Sequence, residues 1–406
     1  MQLTLRSYDS LADLEQLRAN WDELLENYPC ATTFSTWEWL SAWWNNFRKG
    51  RDLIALALFD SGRLAGLASF STSKEQYGWF APRVLRLLGD GTFDSDNLDI
   101  PVLPGYQTIF AQMVVEYLVK RKREWDVCLL NTLPSASLVG NSLEKVLGTS
   151  SWSLFTGSPG GSAVDLPETW DEYLQLLSSE DRKNLVRYTR RLQSRYSMRV
   201  YRCKDEGELV GRLAALFRLH QGRWEAAGQP GTFSSTARRE FYLQLSQNLL
   251  ARGELELWVL ELDGDIAAVQ FAFRYRNRVF QLQEGYDHRR SSDRPGFVLR
   301  GHVLKQLISA NVRTYDFLGG EDSYKSRWGA QPTRYRQLCF APKWGPGAAL
   351  LHTMDKSSRG KEWLRQSLPT PVWTALHDAN VFLRKRREGD MSSKTELEAS
   401  VVPHAR

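Results

Sequence analysis

The stretch from Gly319 to Gly329 is dense in side chains that can do chemistry. It reads Gly-Gly-Glu-Asp-Ser-Tyr-Lys-Ser-Arg-Trp-Gly and directly follows an apolar strand predicted at Tyr315–Leu318. Carboxylates, a tyrosine hydroxyl and a lysine ammonium accept protons, donate them or stabilise developing charge in active sites. The segment is therefore the first candidate for a reaction site.

A second feature predicts binding of a phosphorylated ligand. Pro295 and Gly296 open a predicted helix over residues 297–310. The N–H groups at a helix start stabilise phosphate, proline suits the first helical position, and glycine allows close approach of a ligand to the backbone. Three arginines add positive charge at the same place: Arg289, Arg290 and Arg294.

The elements that must position these residues occur twice. In each half a predicted hairpin, 53–70 or 257–273, precedes a Pro-Gly step, a helical pattern and a short apolar strand. Only the second copy leads into the reactive stretch, since the first ends in Asn-Thr-Leu-Pro at residues 131–134. Two copies of one unit at this spacing predict tandem domains of one fold.

The length fits this organisation. A chain of 406 residues corresponds to two or three domains at about 150 residues each. With 42% hydrophobic and 25% charged residues, the composition is that of an ordinary soluble globular protein. We predict an N-terminal domain over residues 1–150, a catalytic domain over 151–345, and a basic tail over 346–406 that is helical and then disordered.

Several classes of protein are disfavoured. The four cysteines form no Cys-x-x-Cys pair and the histidines are isolated, so we expect a reduced compartment and no metal. No window reaches the length of an apolar membrane span, and the N-terminus has no secretory signal, so we expect a cytoplasmic protein. The basic tail is compatible with peripheral contact with a membrane surface.

One helix carries a row of like charges. The cations from Arg182 to Arg202 have no acid among them, and Arg187, Arg191, Arg195 and Arg199 recur every four residues. Like charges at this spacing destabilise a helix, so something must offset them. Two interpretations stay open: a docking stripe for an anionic partner, or a solvated helix whose acids come from elsewhere in the fold.

Taken in order, these elements resemble the GNAT acyltransferase superfamily. The motif from Tyr315 to Gly329, together with residues 285–287 and the Pro-Gly step, is most similar to the tandem BioF2-like (CelD/BcsL) acetyltransferase family, which in turn is similar to the FemABX peptidyltransferases. The resemblance is strong over residues 257–329 and weaker in the first half. It implies an α/β fold of two GNAT-like domains, each a mixed, mostly antiparallel sheet flanked by helices, followed by a C-terminal helical tail.

The resemblance also implies roles for individual residues. Glu284 matches the base or water-organising position, Tyr324 the proton donor to the leaving group, and Lys325 a lysine that stabilises the oxyanion in Fem-like relatives. Asp316 is expected to orient the acceptor or Lys325. Substrate contacts are expected from Tyr286, Asp287, Glu321 and Arg187.

The implied co-substrate is acyl-CoA, such as acetyl-CoA, with its pyrophosphate at Gly296 and Phe297 beside Arg289, Arg290 and Arg294. The sequence departs from the usual Gln/Arg-x-x-Gly-x-Gly/Ala motif and has Arg-Ser-Ser-Asp-Arg-Pro-Gly over residues 290–296. Because of this departure, a second acyl donor stays open as an alternative, namely the aminoacyl-tRNA that Fem-type relatives use.

The sequence therefore predicts an N-acyltransferase that moves an acyl group from acyl-CoA to an amine by direct attack. The acceptor suggested by the resemblance is an amino sugar or another precursor of the cell envelope or of an exopolysaccharide. Two alternatives stay open. One is a Fem-like transferase that depends on aminoacyl-tRNA, and the other is a non-catalytic GNAT-like binding protein in polysaccharide biosynthesis.

Overall fold

The computed structural model describes residues 2–148, 151–226, 231–320 and 323–367, without the side chains of residues 226 and 360–367. The chain divides into two compact units. Of the described residues, the first unit holds those within 2–161 and 332–363, and the second unit holds those within 162–331. Each contains a mixed sheet flanked by helices, so the predicted α/β fold class is confirmed.

The first unit starts with helices and strands in alternation. Its elements are β1 (Leu3–Tyr8), α1 (Leu11–Glu15), α2 (Arg18–Asn27), α3 (Trp37–Phe47), β2 (Arg51–Asp60), β3 (Arg63–Lys74), β4 (Arg83–Leu87), α4 (Gln107–Lys120), β5 (Val127–Pro134), α5 (Leu138–Leu147) and β6 (Trp152–Gly157).

The chain then builds the second unit and returns to the first. The second unit consists mainly of β7 (Gly160–Asp165), α6 (Trp170–Leu176), α7 (Ser179–Arg195), β8 (Met198–Arg202), α8 (Glu206–Ala226), α9 (Thr236–Ala251), β9 (Leu255–Leu262), β10 (Asp265–Tyr275), β11 (Arg278–Tyr286), α10 (Pro295–Ser309), β12 (Thr314–Gly319) and α11 (Ser323–Ser326). The first unit is completed by β13 (Gln331–Pro342) and by α12 (Pro346–Ser367), up to residue 363.

These units divide the chain differently from the boundaries that the sequence predicts at residues 150 and 345. The difference arises because β13 pairs antiparallel with β5 and with β6, which belong to the first unit. The predicted boundaries themselves stay a prediction. Of the predicted tail, α12 is described, and residues 368–406 lie outside the described residues.

The repeat is visible in the sheets. In the first unit β4 pairs in parallel with β5 over residues 84–86 and 127–129. In the second unit β11 pairs in parallel with β12 over residues 278–280 and 314–316. Beyond residue 280, β11 continues to Tyr286 beside β10, without further pairing to β12. The two strands of the second unit therefore separate and leave an opening at their carboxyl ends.

The start of the first unit differs from its sequence pattern. The spacing of apolar residues over 9–27 predicts one amphipathic helix, but the structure has two, α1 and α2, separated at Leu17, whose backbone is not helical at φ −90° and ψ 0°. No proline or glycine marks this break, so the sequence carries no local signal for it. Helix α5 and strand β1 are likewise absent from the sequence-based prediction.

Helix α8 packs closely on β11 at Gly285. A Cβ atom at this position would lie 2.8 Å from the backbone nitrogen of His220 and 3.0 Å from the carbonyl oxygen of Leu216. Both neighbours are helix backbone, which cannot rotate away as a side chain can. The absence of a side chain at residue 285 therefore sets how near α8 lies to the strand that carries Glu284.

We expect Gly285→Ala to lower the free energy of unfolding by about 1–3 kcal/mol, because the added methyl group overpacks this contact. The matched control is Gly211→Ala in α8, the helix against which Gly285 packs, because a Cβ atom at residue 211 meets nothing within 4 Å. That change should raise stability by roughly 0.5–1 kcal/mol through helix propensity. Urea unfolding followed by circular dichroism measures both, and equal stability of the two variants contradicts the prediction.

Candidate active site

One charged side chain, Arg300, lies beside the opening between β11 and β12 and contacts a residue of each strand, Glu284 and Phe317. It projects from α10 and is buried. Its Nη2 donates to Oε2 of Glu284 on β11 in a close ion pair, in which the side chains of Arg300 and Glu284 are 8% and 15% exposed. The pair joins α10 to β11 at a point where β11 still pairs with β10 but no longer with β12.

Aromatic rings surround the guanidinium of Arg300. Its central carbon lies 5.6 Å from the ring centroid of Phe317, 5.3 Å from that of Tyr324 and 5.6 Å from that of Trp328. Burial alone would lower the pKa of Arg300, but the charge of Glu284 and the nearby tyrosines raise it, so the guanidinium stays protonated. The site thus holds a fixed positive charge in an environment with little water.

Gly296 lets the start of α10 approach Glu284. A Cβ atom at residue 296 would lie 2.8 Å from Oε1 of Glu284 and 3.4 Å from the ring of Tyr286. The N-cap residue of α10 is Arg294, which has left-handed backbone angles of φ 51° and ψ 53°. Pro295 follows as the first residue of the helix. The Pro-Gly pair predicted to start a helix does start it, and the glycine serves the contact with Glu284.

Gln270 is a buried polar group next to Glu284 that the sequence analysis missed. It is completely buried on β10, directly opposite Glu284 in the strand pairing. Neither its amide oxygen nor its amide nitrogen has a hydrogen-bond partner among the described residues. Buried amides in native proteins nearly always have partners, so Gln270 is a candidate for contact with a bound ligand.

The helix start also gathers free donors and positive charge. In the described part of the chain, the N–H groups of Gly296 and Phe297 have no acceptor, and the first helical bond runs from Val298 N–H to the carbonyl of Arg294 at 3.1 Å. The guanidinium groups of Arg187 and Arg294 lie 4.8 Å and 5.0 Å from the ring centroid of Tyr188. The ring of Tyr188 itself packs on Phe297.

Arg289 and Arg290, predicted to join this charge, are paired with acids instead. Arg289 Nε donates to Oδ1 of Asp287 at 3.0 Å, and Arg290 Nη2 donates to Asp265 at 3.1 Å. The hydrogen bonds from Arg289 lower the pKa of Asp287 despite its burial. Asp287 is thereby bound to an arginine of its own loop. Tyr286 packs against Arg223, whose central guanidinium carbon lies 5.6 Å from the centroid of the tyrosine ring.

Asp316 and Lys325 hold the loop that ends β12. Oδ1 of Asp316 accepts the N–H of Leu318 at 2.8 Å, where the backbone is left-handed at φ 60°. Its other oxygen accepts from Arg278 Nη2 at 2.6 Å. Burial raises the pKa of Asp316, while Arg278 acts in the opposite direction.

The ammonium of Lys325 is buried and binds the same loop from within. It donates to the backbone carbonyls of Leu318, Gly319 and Gly320 at 3.3, 2.7 and 3.0 Å. A lysine ammonium has three N–H donors, so these three hydrogen bonds occupy all of them in this conformation. Its predicted role at an oxyanion stays a prediction. Tyr324 beside it is 42% exposed, and Glu321 lies outside the described residues.

The predicted row of like charges is divided between α7, which ends at Arg195, and β8, which carries Arg199 and Arg202, and acids from other elements offset most of it. Arg191 and Arg195 pair with Asp293 at 2.9 and 3.2 Å, Arg199 lies 3.8 Å from Glu261, and Arg202 donates to Glu256 at 2.8 Å. This supports the second interpretation for that part of the row. Lys183, Arg187 and Arg190 stay exposed on α7, without an acidic partner among the described residues.

The geometry agrees with the comparisons to known proteins. Residues 179–326 match the family model described as an acetyltransferase (GNAT) domain. This segment is a GNAT domain. The match covers α7 to α11, which includes the ion pair, the helix start and the strand-end loop. The predicted resemblance to the GNAT superfamily and the predicted enzyme class, an acyltransferase of the GNAT type, are confirmed.

Solved structures share the fold. A structure titled "Crystal structure of FemX" is similar with a TM-score of 0.56 and 10% identity, over 83% of this chain and 97% of that chain. A conserved protein of unknown function from Bacteroides thetaiotaomicron VPI-5482 is similar with a TM-score of 0.50 and 13% identity, over 84% and 99%. No curated protein matches the chain. Identities this low indicate a shared fold alone.

The sequence offers one signal for Arg300. It is a lone charge within an otherwise apolar stretch of the GNAT domain, Gly-Phe-Val-Leu-Arg-Gly-His-Val-Leu over residues 296–304. A charge in the buried part of a helix needs a partner. The partner, Glu284, comes from another element.

We expect Arg300→Met to lower the free energy of unfolding by about 3–5 kcal/mol, because it leaves the carboxylate of Glu284 buried without its partner. The double variant Glu284→Gln/Arg300→Met should recover much of this loss, since no charge then stays unpaired. Arg63→Gln is the control, because the Arg63–Glu23 pair is about half exposed and contributes little. Thermal and urea unfolding measure these changes, and a single variant as stable as the control contradicts the assignment.

Proposed function

We propose that the second unit is an N-acyltransferase that moves an acyl group from acyl-CoA to an amine by direct attack. The observation that carries the proposal is the buried Glu284–Arg300 pair in the opening between β11 and β12. A carboxylate held there can accept a proton from an amine that attacks a carbonyl in the same opening. We propose the narrower BioF2-like assignment on the resemblance alone, and a cytoplasmic location on the sequence features given above.

The residues at the start of α10 fit the phosphates of a coenzyme A thioester. The free N–H groups of Gly296 and Phe297 would bind phosphate oxygens, and Arg187 and Arg294 would add charge-assisted hydrogen bonds. Because Pro295 has no N–H group, this helix start offers fewer backbone donors than a glycine there would. We propose that arginine side chains take over part of the task. When bound, acyl-CoA supplies an activated thioester carbonyl.

The reaction needs few groups from the protein. The nitrogen of the acceptor amine bonds to the carbonyl carbon, the carbon–sulfur bond breaks, and the thiolate leaves. Glu284 receives the proton released by the nitrogen, and Tyr324 is proposed to protonate the thiolate. Arg300 contacts both groups and thereby fixes the distance between acid and base.

Asp316 and Lys325 are proposed to act on the reaction through the backbone. They hold residues 318–320 with hydrogen bonds from both sides of the loop. The turn that carries Tyr324 begins three residues after this loop. A fixed loop therefore supports a fixed position for the proposed proton donor.

The acceptor is proposed to be an amino sugar or a related precursor of the cell envelope or exopolysaccharide. This step rests on the family resemblance, since a fold does not define a substrate. Gln270, a buried amide without a partner beside Glu284, is the side chain we propose for a polar contact with the acceptor or the acyl group.

We expect Glu284→Gln to lower kcat by about 10²–10⁴-fold, because the amide cannot accept the proton. Release of free thiol from acetyl-CoA, with a panel of amines and amino sugars, measures the rate. Affinity for CoA, measured by calorimetry, should be unchanged, whereas Arg187→Gln/Arg294→Gln should weaken it. Glu261→Gln on β9 of the same unit is the matched control. No thiol release with any acyl-CoA and no CoA binding by the wild type rejects the proposal and favours a non-catalytic binding protein.

The aminoacyl-tRNA alternative has one observation in its favour, the exposed cations Lys183, Arg187 and Arg190 on α7. If tRNA binds there, its affinity should fall steeply with salt because counterions are released. Gel shifts with aminoacyl-tRNA across a salt series should then show a smaller slope for Lys183→Gln/Arg190→Gln than for the wild type. Binding that is absent, or equal in variant and wild type, counts against this donor.

A further inference from the structure

We propose that one end of the first unit's sheet docks on a membrane surface that contains anionic phospholipid. The strand pairings define this end. Lys74 lies opposite Arg83, residue 84 beside 127, residue 340 opposite 128, and Pro342 opposite Trp152. The last residues of β3 and β13 and the first residues of β4, β5 and β6 therefore meet along one edge, which we call the tryptophan end.

Two tryptophans at this end lie almost entirely in solvent. Trp79, between β3 and β4, is 92% exposed, and Trp344, directly after β13, is 83% exposed. Trp79 lies in a tight turn closed by hydrogen bonds between the backbones of Tyr77 and Phe80 at 2.9 and 3.2 Å. The turn thus has a defined shape. Other tryptophans of the unit, such as Trp39 and Trp43, are completely buried.

The same end carries positive charge that the described residues do not neutralise. The connection from α4 to β5 contributes Lys120, Lys122 and Arg123, all exposed, and Lys74 and Lys343 flank the two tryptophans. None of these five has an acidic partner in the described part of the chain.

Three acids of this end are paired with arginines, whereas Asp52 at the start of β2 is exposed. Glu124 binds Arg121 at 2.6 Å, and Asp126 binds Arg83 at 3.3 Å. The side chain of Glu75 is held by Arg86 at 2.7 Å. The surface therefore presents a net positive charge around two projecting indole rings.

An anionic bilayer fits both features at once. Tryptophan favours the interface between lipid headgroups and acyl chains, where its ring is apolar and its N–H stays hydrated. Each lysine or arginine close to an anionic leaflet strengthens binding about fivefold. A second copy of this chain fits less well, because two positive surfaces repel each other. None of the helices in the described part of the chain has the length and apolar character of a membrane span.

The test is co-sedimentation of the full chain with lipid vesicles. The chain should bind vesicles of phosphatidylcholine mixed with phosphatidylglycerol and should bind phosphatidylcholine alone much more weakly. Trp79→Ala/Trp344→Ala should lower the partition coefficient on mixed vesicles at least about tenfold, because the two rings that insert into the bilayer interface are removed. Lys120→Gln/Lys122→Gln/Arg123→Gln should lower it roughly a hundredfold.

The control is Arg63→Gln, which removes a charge at the start of β3 and therefore at the other end of the same sheet. It should bind like the wild type. Because Trp79 and Trp344 are exposed, the alanine variant should keep the melting temperature and the thiol-release activity of the wild type. Loss of vesicle binding with activity intact separates this proposal from the acyltransferase proposal.

Three outcomes overturn the proposal. The first is a wild type that binds neither kind of vesicle. The second is a tryptophan variant that binds as tightly as the wild type, which would show general attraction of cations to any polyanion, RNA included. The third is self-association of the wild type that the tryptophan variant loses, which would identify the surface as a contact with a second copy.

Discussion

A guanidinium buried between two separating strands is the constraint around which the second unit is arranged. Taking the charges of Arg300 and Glu284 out of water costs several kcal/mol each, at roughly the level seen for buried ions, and only close pairing offsets it. The ion pair lies where β11 no longer pairs with β12. It requires α10 to lie close to β11, which the missing side chain of Gly296 permits.

The aromatic side chains around Arg300 follow from the same requirement. A buried cation is stabilised by ring faces, and Phe317, Tyr324 and Trp328 all come from β12 and the turn after it. The turn can carry them because its backbone is held from two sides, by the carboxylate of Asp316 and the ammonium of Lys325. The charged residues of the site thus divide into Glu284 and Arg300, which lie at the opening, and Asp316 and Lys325, which fix the loop beside it.

The two copies of the fold show how one architecture can differ in chemistry. In the first unit the corresponding parallel strands carry Arg86, whose guanidinium is bound by Glu75 at 2.7 and 2.9 Å and by Asp90 at 3.1 Å. Its Pro-Gly step leads to a helix whose Gln107 side chain accepts the N–H of Gly105 at 2.7 Å. Both guanidinium groups are paired with acids, but the N–H of Gly105 is bound while that of Gly296 has no acceptor among the described residues, which supports the proposed reaction site in the second unit.

The sequence by itself determined the order and kind of the elements. Hairpins, Pro-Gly helix starts and apolar strands are set by local periodicity and backbone preference, and these act between near neighbours. It also predicted the candidate stretch after β12 and a role for Glu284, and these roles stay predictions. Only the tertiary structure decided the partners: Arg300 for Glu284, Asp293 for the arginines of α7, and backbone carbonyls for Lys325. The reason is physical, because these charges find each other through packing of segments distant in sequence, and no local pattern records that choice.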